Sequence, residues 1–316
     1  MTTMINPKSA ASARLGSAER LFRQPVSPSL VHRVDETDVF VTDLRVTGYD
    51  MFEVSGRLPG SHSFYGPRRH GLHDPLAVLE TIREAILVVG HVAYDIPREF
   101  KFITHDKQFE FDLDALVATD DQPVDLTIAL TSLDIRRRGR RVASMRTHVE
   151  CFRDGKLVGT ASYRWSCVSA AAYKKLRGEY ATAEPAAPAD LVPVAPELVG
   201  RTDEVDVTLA ERSDGPGYEM RVDPKHPVIY DHVMDHVPGN AIAEVARQVA
   251  MLTTGDPDAL TVGGDFLFSH YIEFDTPCLV NAEVIGSTTG GTTGVRFVIE
   301  QNDRHAVDGI LELVLS

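Results

Sequence analysis

His62, Glu80 and Arg83 are matched by His226, Glu244 and Arg247, each 164 positions later. The surrounding text agrees: HSFYGPRRHGLHDPLAVLETIREAI reads against HPVIYDHVMDHVPGNAIAEVARQVA. Each copy runs from a His-aromatic stretch through a proline turn into an apolar helix carrying E-x-x-R. An internal repeat constrains the fold more than any other feature, because each copy must form one structural unit. Each copy here has the size of a small domain.

Period-2 patterns flank both helices and predict strands. Before the helix they are DVFVTDLRVTGYDMFEVSGRL and EVDVTLAERSDGPGYEMRVD. After it they are PVDLTIALTSLDI, RRVASMRTHVECF and KLVGTASYRWSCV in the first half, and PCLVNAEVIGST, GVRFVIEQ and AVDGILELVL in the second. Hairpin turns are expected at Arg153 to Lys156 and at Asn302 to His305. Each half thus reads as two strands, one long helix, then about three strands. The helix PLAVLETIREAILVVGHVAY is apolar on most faces, which signals burial. An apolar helix wrapped by a curved antiparallel sheet is the hotdog arrangement. The expected class is α+β, a double hotdog. Residues 1–28 read as a flexible arm, 29–175 as repeat 1, 176–200 as an Ala/Pro-rich linker, and 201–316 as repeat 2.

Composition excludes several classes. A chain of 316 residues can hold two cores. The net charge of −14 argues against a nucleic-acid binder. Cys151, Cys167 and Cys278 lie in expected strands without metal-like spacing and read as buried thiols. The first twenty residues lack the apolar core of a signal peptide. The longest apolar run, AILVVG, is far short of the ~20 residues of a membrane span. A cytoplasmic protein without membrane contact is expected.

The run HPVIYDHVMDHVPGNAIAEVARQ, with HSFYGP…HDPLAVLETIREA and VHRVDETDVFVTDLR, resembles the A-factor biosynthesis (AfsA-like) hotdog family of actinomycetes. The resemblance covers nearly all of the chain from about residue 30. It implies an acyltransferase that makes the precursor of γ-butyrolactone-type signalling molecules. A β-ketoacyl group, carried on an acyl carrier protein or coenzyme A, is joined to the hydroxyl of dihydroxyacetone phosphate. No resident cofactor is implied. The chain would act as a monomeric pseudo-dimer or a homodimer. A more distant resemblance is to hotdog β-hydroxyacyl dehydratases. Pro238-Gly239 precedes Glu244 at the spacing of that pattern, and His232 falls near the catalytic histidine position with two fewer intervening residues. The first half departs further, with His73-Asp74-Pro75 and a one-residue slip in the repeat offset.

The candidate chemistry centres on Glu244. A carboxylate on so apolar a helix is buried, and either shifts its pKa or finds a cation. Arg247 is three residues on and faces the same side. In acyl transfer Glu244 would take the proton of the attacking hydroxyl. Arg247 would clamp the phosphate or orient Glu244, and Arg83, Arg68 or Arg69 could take the clamp role. Free amides around Gly239 and Asn240 would meet the oxyanion, although the Asn240 side chain equally suits a helix cap. His232 and His236 are candidates to contact substrate or base. His226 and, in the first half, His62, His73, Glu80 and Arg83 complete the candidate substrate-binding set. The clustered histidines show no i,i+4 pair on a helix, so no metal site is expected. The run RRRGRR, Arg136 to Arg141, reads as a hairpin tip. It is either a solvated turn or a dock for an acidic carrier protein or the coenzyme A phosphates. Two other functions stay open: a dehydratase or thioesterase, and a non-catalytic acyl-ligand binder.

Overall fold

An apolar helix must be covered on nearly every side, and the chain meets that demand twice. The computed structural model describes residues 25–66, 71–118, 122–182, 191–212, 215–287 and 290–316. The expected N-terminal arm as far as residue 24, the linker residues 183–190, and Arg68, Arg69 and His70 lie outside them. The chain divides into two compact units. Of the described residues, one comprises those from 25 to 102 and from Asp112 to Val168; the other comprises Ile103–Phe111 and those from Ser169 to Ser316.

In the first unit, β1 (Val41–Gly48) and β2 (Met51–Leu58) form a hairpin before helix α1 (Pro75–Val88). Strand β3 (Lys101–Phe111) follows, its residues from Ile103 belonging to the second unit. Then come β4 (Val124–Arg138), β5 (Arg141–Arg153) and β6 (Lys156–Val168). The strands of this unit are antiparallel in the order β1-β2-β4-β5-β6. Strand β4 buries Val124, Leu126, Ile128 and Leu130 and exposes Asp125 and Thr127, the period-2 pattern of a half-buried sheet. Pro75 takes the first position of α1, and Asp74 accepts a hydrogen bond from the Leu76 amide at 2.9 Å. Every residue of α1 except Arg83 is buried. Gly56 lets β2 approach the helix, since a Cβ there would stand 2.6 Å from Thr81 Cγ2.

The second unit opens with α2 (Ala170–Arg177). The short strands β7 (Leu209–Glu211) and β8 (Tyr218–Met220) precede α3 (Gly239–Thr254). Strands β9 (Leu260–Phe268), β10 (Leu279–Ser287), β11 (Thr293–Gln301) and β12 (Arg304–Val314) follow. The strand order is β3-β9-β12-β11-β10-β8-β7. Gly255 ends α3 in the left-handed conformation, and the amides of Gly255 and Asp256 donate back to Leu252 and Met251.

The double-hotdog reading holds, with two corrections. Strands β3 and β9 were not expected, so four strands rather than three follow each helix in the sequence. The β11–β12 turn is Asn302-Asp303, held between Gln301 and Arg304, one residue earlier than expected. Both its central residues have positive φ, as do Asp154 and Gly155 in the β5–β6 turn. All three cysteines are buried and free. Among the described residues no helix is long and apolar enough to cross a membrane.

Candidate active site

Each central helix carries a buried carboxylate, and each carboxylate meets two arginines. In the second unit Glu244 Oε1 accepts from Arg201 at 2.9 Å, Arg247 at 2.7 Å and the Gln248 amide at 2.5 Å. Glu244 is fully buried and Arg201 nearly so. In the first unit Arg33 donates to Glu80 at 2.5 Å, and Arg83 donates to both Glu80 oxygens at 2.7 and 2.9 Å. Burial opposes ionisation of Glu80, but the charges of Arg33 and Arg83 outweigh it and hold the carboxyl at about 2. Here the buried carboxylate has found its cations, so in the first unit its pKa is lowered rather than raised.

The histidines of the repeat anchor the same clusters. His226 accepts the amides of Val228 and Ile229 on Nδ1, which leaves Nε2–H to donate to Asp206 at 3.0 Å. Asp206 also pairs with Arg201 at 3.6 Å. His62 repeats the arrangement, with the amides of Phe64 and Tyr65 on Nδ1 and Asp38 against Nε2. Each ring therefore staples the loop before the helix to the segment that supplies the arginine.

A second constellation, in the second unit, surrounds His236. Its Nδ1 donates to Asp235 at 2.9 Å, so in the neutral ring Nε2 is the acceptor nitrogen. The Tyr173 hydroxyl donates to Asp235 at 2.7 Å. Arg177 holds the same carboxylate and the Asp235 carbonyl, and forms a two-pronged pair with Glu273. The Arg177 guanidinium lies 4.0 Å from the centre of the Tyr271 ring, whose plane meets the His236 ring edge-on at 4.8 Å. Burial works against ionisation of Asp235, yet hydrogen bonds from His236 and Tyr173 and the nearby cations hold it at about 2. His236 keeps a third of its side-chain surface exposed. A partly exposed imidazole with one nitrogen fixed by a carboxylate is poised to accept a proton on the other.

Three residues further along, α3 begins. Asn240 Oδ1 takes the Ala241 amide, a local cap, and Ile242 donates to Pro238. Among the described residues no acceptor meets the amides of Gly239 and Asn240. A Cβ at Gly239 would meet nothing within 4 Å, so this helix start faces open space. These amides sit at the positive end of the helix dipole, where an oxyanion is favoured.

Among its described residues the first unit lacks this arrangement. His73 is buried, and its Nε2 has no hydrogen-bond partner among the described residues. Burial and then the charge of Arg153 lower its pKa. Leu72 precedes it where Asp235 precedes His236, and the Asp74 carboxylate caps the helix start. The slip in the repeat offset follows: proline is the first residue of α1 but the cap of α3.

The structure therefore divides the candidate residues. Glu244, Arg247 and His226 share one buried cluster, and Glu80, Arg83 and His62 share its copy. His236, Gly239 and Asn240 lie together at the start of α3. His232 stands apart, paired with Asp231 at 2.7 Å. Sequence reading missed Arg201 and Arg33, Asp206 and Asp38, and the Tyr173, Arg177, Asp235 and Glu273 shell.

Comparison with known proteins supplies the family. The model of the A-factor biosynthesis hotdog domain matches residues 17–169 and again 182–313. The 2-oxo-3-(phosphooxy)propyl 3-oxoalkanoate synthase of Streptomyces virginiae is 34% identical over 278 residues, 88% of this chain and 94% of that protein. The protein of the same name in Streptomyces coelicolor is 32% identical and covers 88% of each chain. Among solved structures, the 12:0-ACP thioesterase from Umbellularia californica matches with a TM-score of 0.51 at 12% identity, over 84% of this chain and 94% of that one. That likeness concerns the fold alone. With two copies of one helix-and-sheet unit, and a family match spanning both, this chain belongs to the A-factor biosynthesis hotdog family.

Proposed function

We propose that this chain is an acyltransferase that joins a 3-oxoacyl group, delivered as a thioester, to the hydroxyl of dihydroxyacetone phosphate. The product is the phosphorylated β-ketoester named in its relatives. The observation that carries the site is the His236–Asp235 pair beside the open amides of Gly239 and Asn240.

Each step uses a group already in place. His236 Nε2 takes the proton as the acceptor hydroxyl attacks the thioester carbonyl. The carbonyl oxygen becomes an oxyanion between the Gly239 and Asn240 amides. Collapse breaks the carbon–sulfur bond, and the departing thiolate recovers the proton from His236. Asp235 fixes the imidazole tautomer and stabilises its charged form, and Tyr173 and Arg177 hold Asp235. In this reading Glu244, Arg201 and Arg247 position the helix and do not touch substrate. The acyl donor is bound on acyl carrier protein or coenzyme A, and no resident cofactor takes part.

The test is mass spectrometry after incubation with a 3-oxoacyl thioester and dihydroxyacetone phosphate, with His236→Ala alongside. The parent protein should form the phosphorylated ester, and the variant should lose about 10²–10⁴-fold in rate. Free 3-oxo acid without ester would make the protein a thioesterase and remove the proposal.

A further inference from the structure

The hairpin joining β4 and β5 presents Arg136, Arg137, Arg138, Arg140 and Arg141 within six positions of a chain whose net charge is −14. All five are exposed. The hairpin outreaches its neighbours: the last β4 residue paired with β2 is Thr131, and β5 pairs with β6 only from Ser144 onward. Asp134, in the left-handed conformation, marks a bulge that turns the projecting part. Arg138 and Arg141 are direct cross-strand partners, and Arg146 faces Arg164 in the adjoining strands. Like charges placed opposite one another destabilise a sheet. Among the described residues, no carboxylate pairs with the five tip arginines. Among the described residues, Arg141 is the one of the five that meets an aromatic ring, at 5.7 Å from the centre of Phe100.

The fold itself does not call for these charges. The corresponding hairpin of the second unit, between β10 and β11, reads Gly-Ser-Thr-Thr-Gly-Gly-Thr-Thr-Gly from Gly286 to Gly294 and carries no charge. One copy of a duplicated unit has thus concentrated mutually repelling cations where the other has none. Such a cluster lowers its energy by meeting an extended anionic surface.

We propose that the β4–β5 hairpin docks an acidic acyl carrier protein that delivers the acyl thioester. This rests on the acyl-transfer reading above. A carrier protein fits the feature better than a free coenzyme does, because five cations spread along a projecting hairpin match a charged protein face rather than one phosphate group. Complementary charge of this kind chiefly raises the association rate and is weakened by salt.

The test compares the parent protein with Arg136→Glu/Arg138→Glu/Arg140→Glu. Binding of a 3-oxoacyl-loaded bacterial carrier protein is measured by biolayer interferometry, and turnover with that donor and with the matching coenzyme A thioester. Binding should weaken about tenfold or more in the variant at low salt, and the difference should shrink at high salt. The KM for the carrier-bound donor should rise while that for the coenzyme A donor stays unchanged. Equal carrier binding by parent and variant would overturn the proposal. So would a KM that rises equally for both donors, which would assign the arginines to the coenzyme phosphates. Because binding is read without turnover, a parent protein that captures carrier through this hairpin yet makes no ester would keep the docking assignment and lose the reaction.

Discussion

Glu84 and Gln248 hold the same place on the two central helices and differ by one terminal group. Glu84 Oε2 accepts the amides of Phe40 and Val41 at 2.8 and 3.1 Å. Gln248 accepts the Thr208 amide and also donates to the Asp206 carbonyl and to Glu244. Glu84 has no such donor when ionised. Burial and then the Glu80 charge push it up to about 8. Its folded pKa lies above the ordinary 4.5, so its contribution to stability is complete below 4.5 and is lost as pH rises through 8. Glu80 runs the other way: its contribution is present above 4.5 and disappears only as pH falls through 2. The two windows do not overlap. Glu84→Gln should flatten the fall in melting temperature from about pH 5 to 9, and an unchanged slope would refute the assignment. Asp235→Asn tests the other carboxylate. It should keep the fold and lower kcat by about 10²–10⁴-fold, because the imidazole loses the partner that fixes its tautomer. His236 was legible in the D-H-x-P-G text. Its supporting Tyr173 and Arg177 were not, since they come from a segment some sixty residues upstream that no spacing rule connects to it.

At the scale of elements, the sequence holds one more signal than the repeat offset alone reveals. Val31-x-Arg33-x-Asp35-Glu36-x-Asp38-Val39 recurs as Val199-x-Arg201-x-Asp203-Glu204-x-Asp206-Val207, now 168 positions apart. Four extra residues between this motif and the helix in the first copy hide it from a fixed-offset search. The structure shows why it recurs. Each copy folds into a short 3₁₀ turn, a left-handed residue (His32 or Gly200), the arginine that reaches the helix carboxylate, and a second 3₁₀ turn. Arg201→Met leaves Glu244 with one guanidinium in a fully buried setting. It should cost about 3–5 kcal/mol in chemical denaturation; a loss below 1 kcal/mol would mean that the cluster relaxes around water. Strands β3 and β9 escaped notice for local reasons. β3 carries His105, Asp106 and Lys107 in mid-strand, and β9 carries Gly263-Gly264, which reads as a turn. Only the packed sheet explains them. Lys107 Nζ lies 4.4 Å from the centre of the Phe266 ring, and a Cβ on Gly264 would meet Phe109 at 2.8 Å.

For the whole molecule, duplication was plain from the text, whereas the division of labour between the copies was only partly so. Both units keep the helix carboxylate, its two arginines and the histidine staple. One alone pairs its helix-start histidine with a carboxylate and leaves the helix start open. His73→Ala should therefore leave kcat within about twofold of the parent, against near-complete loss for His236→Ala. Comparable losses in both would mean that both helix starts carry chemistry. The buried cysteines add a property of a different kind. Cys151 and Cys167 lie in the first unit and Cys278 in the second, and burial pushes their thiols up to about 12, 11 and 12. So little thiolate forms near neutrality that an alkylating reagent must wait for the surrounding sheet to part. The protein thus carries its own clock for local opening. Mass mapping of which cysteine is labelled first will time the breathing of each half separately, without a single introduced probe.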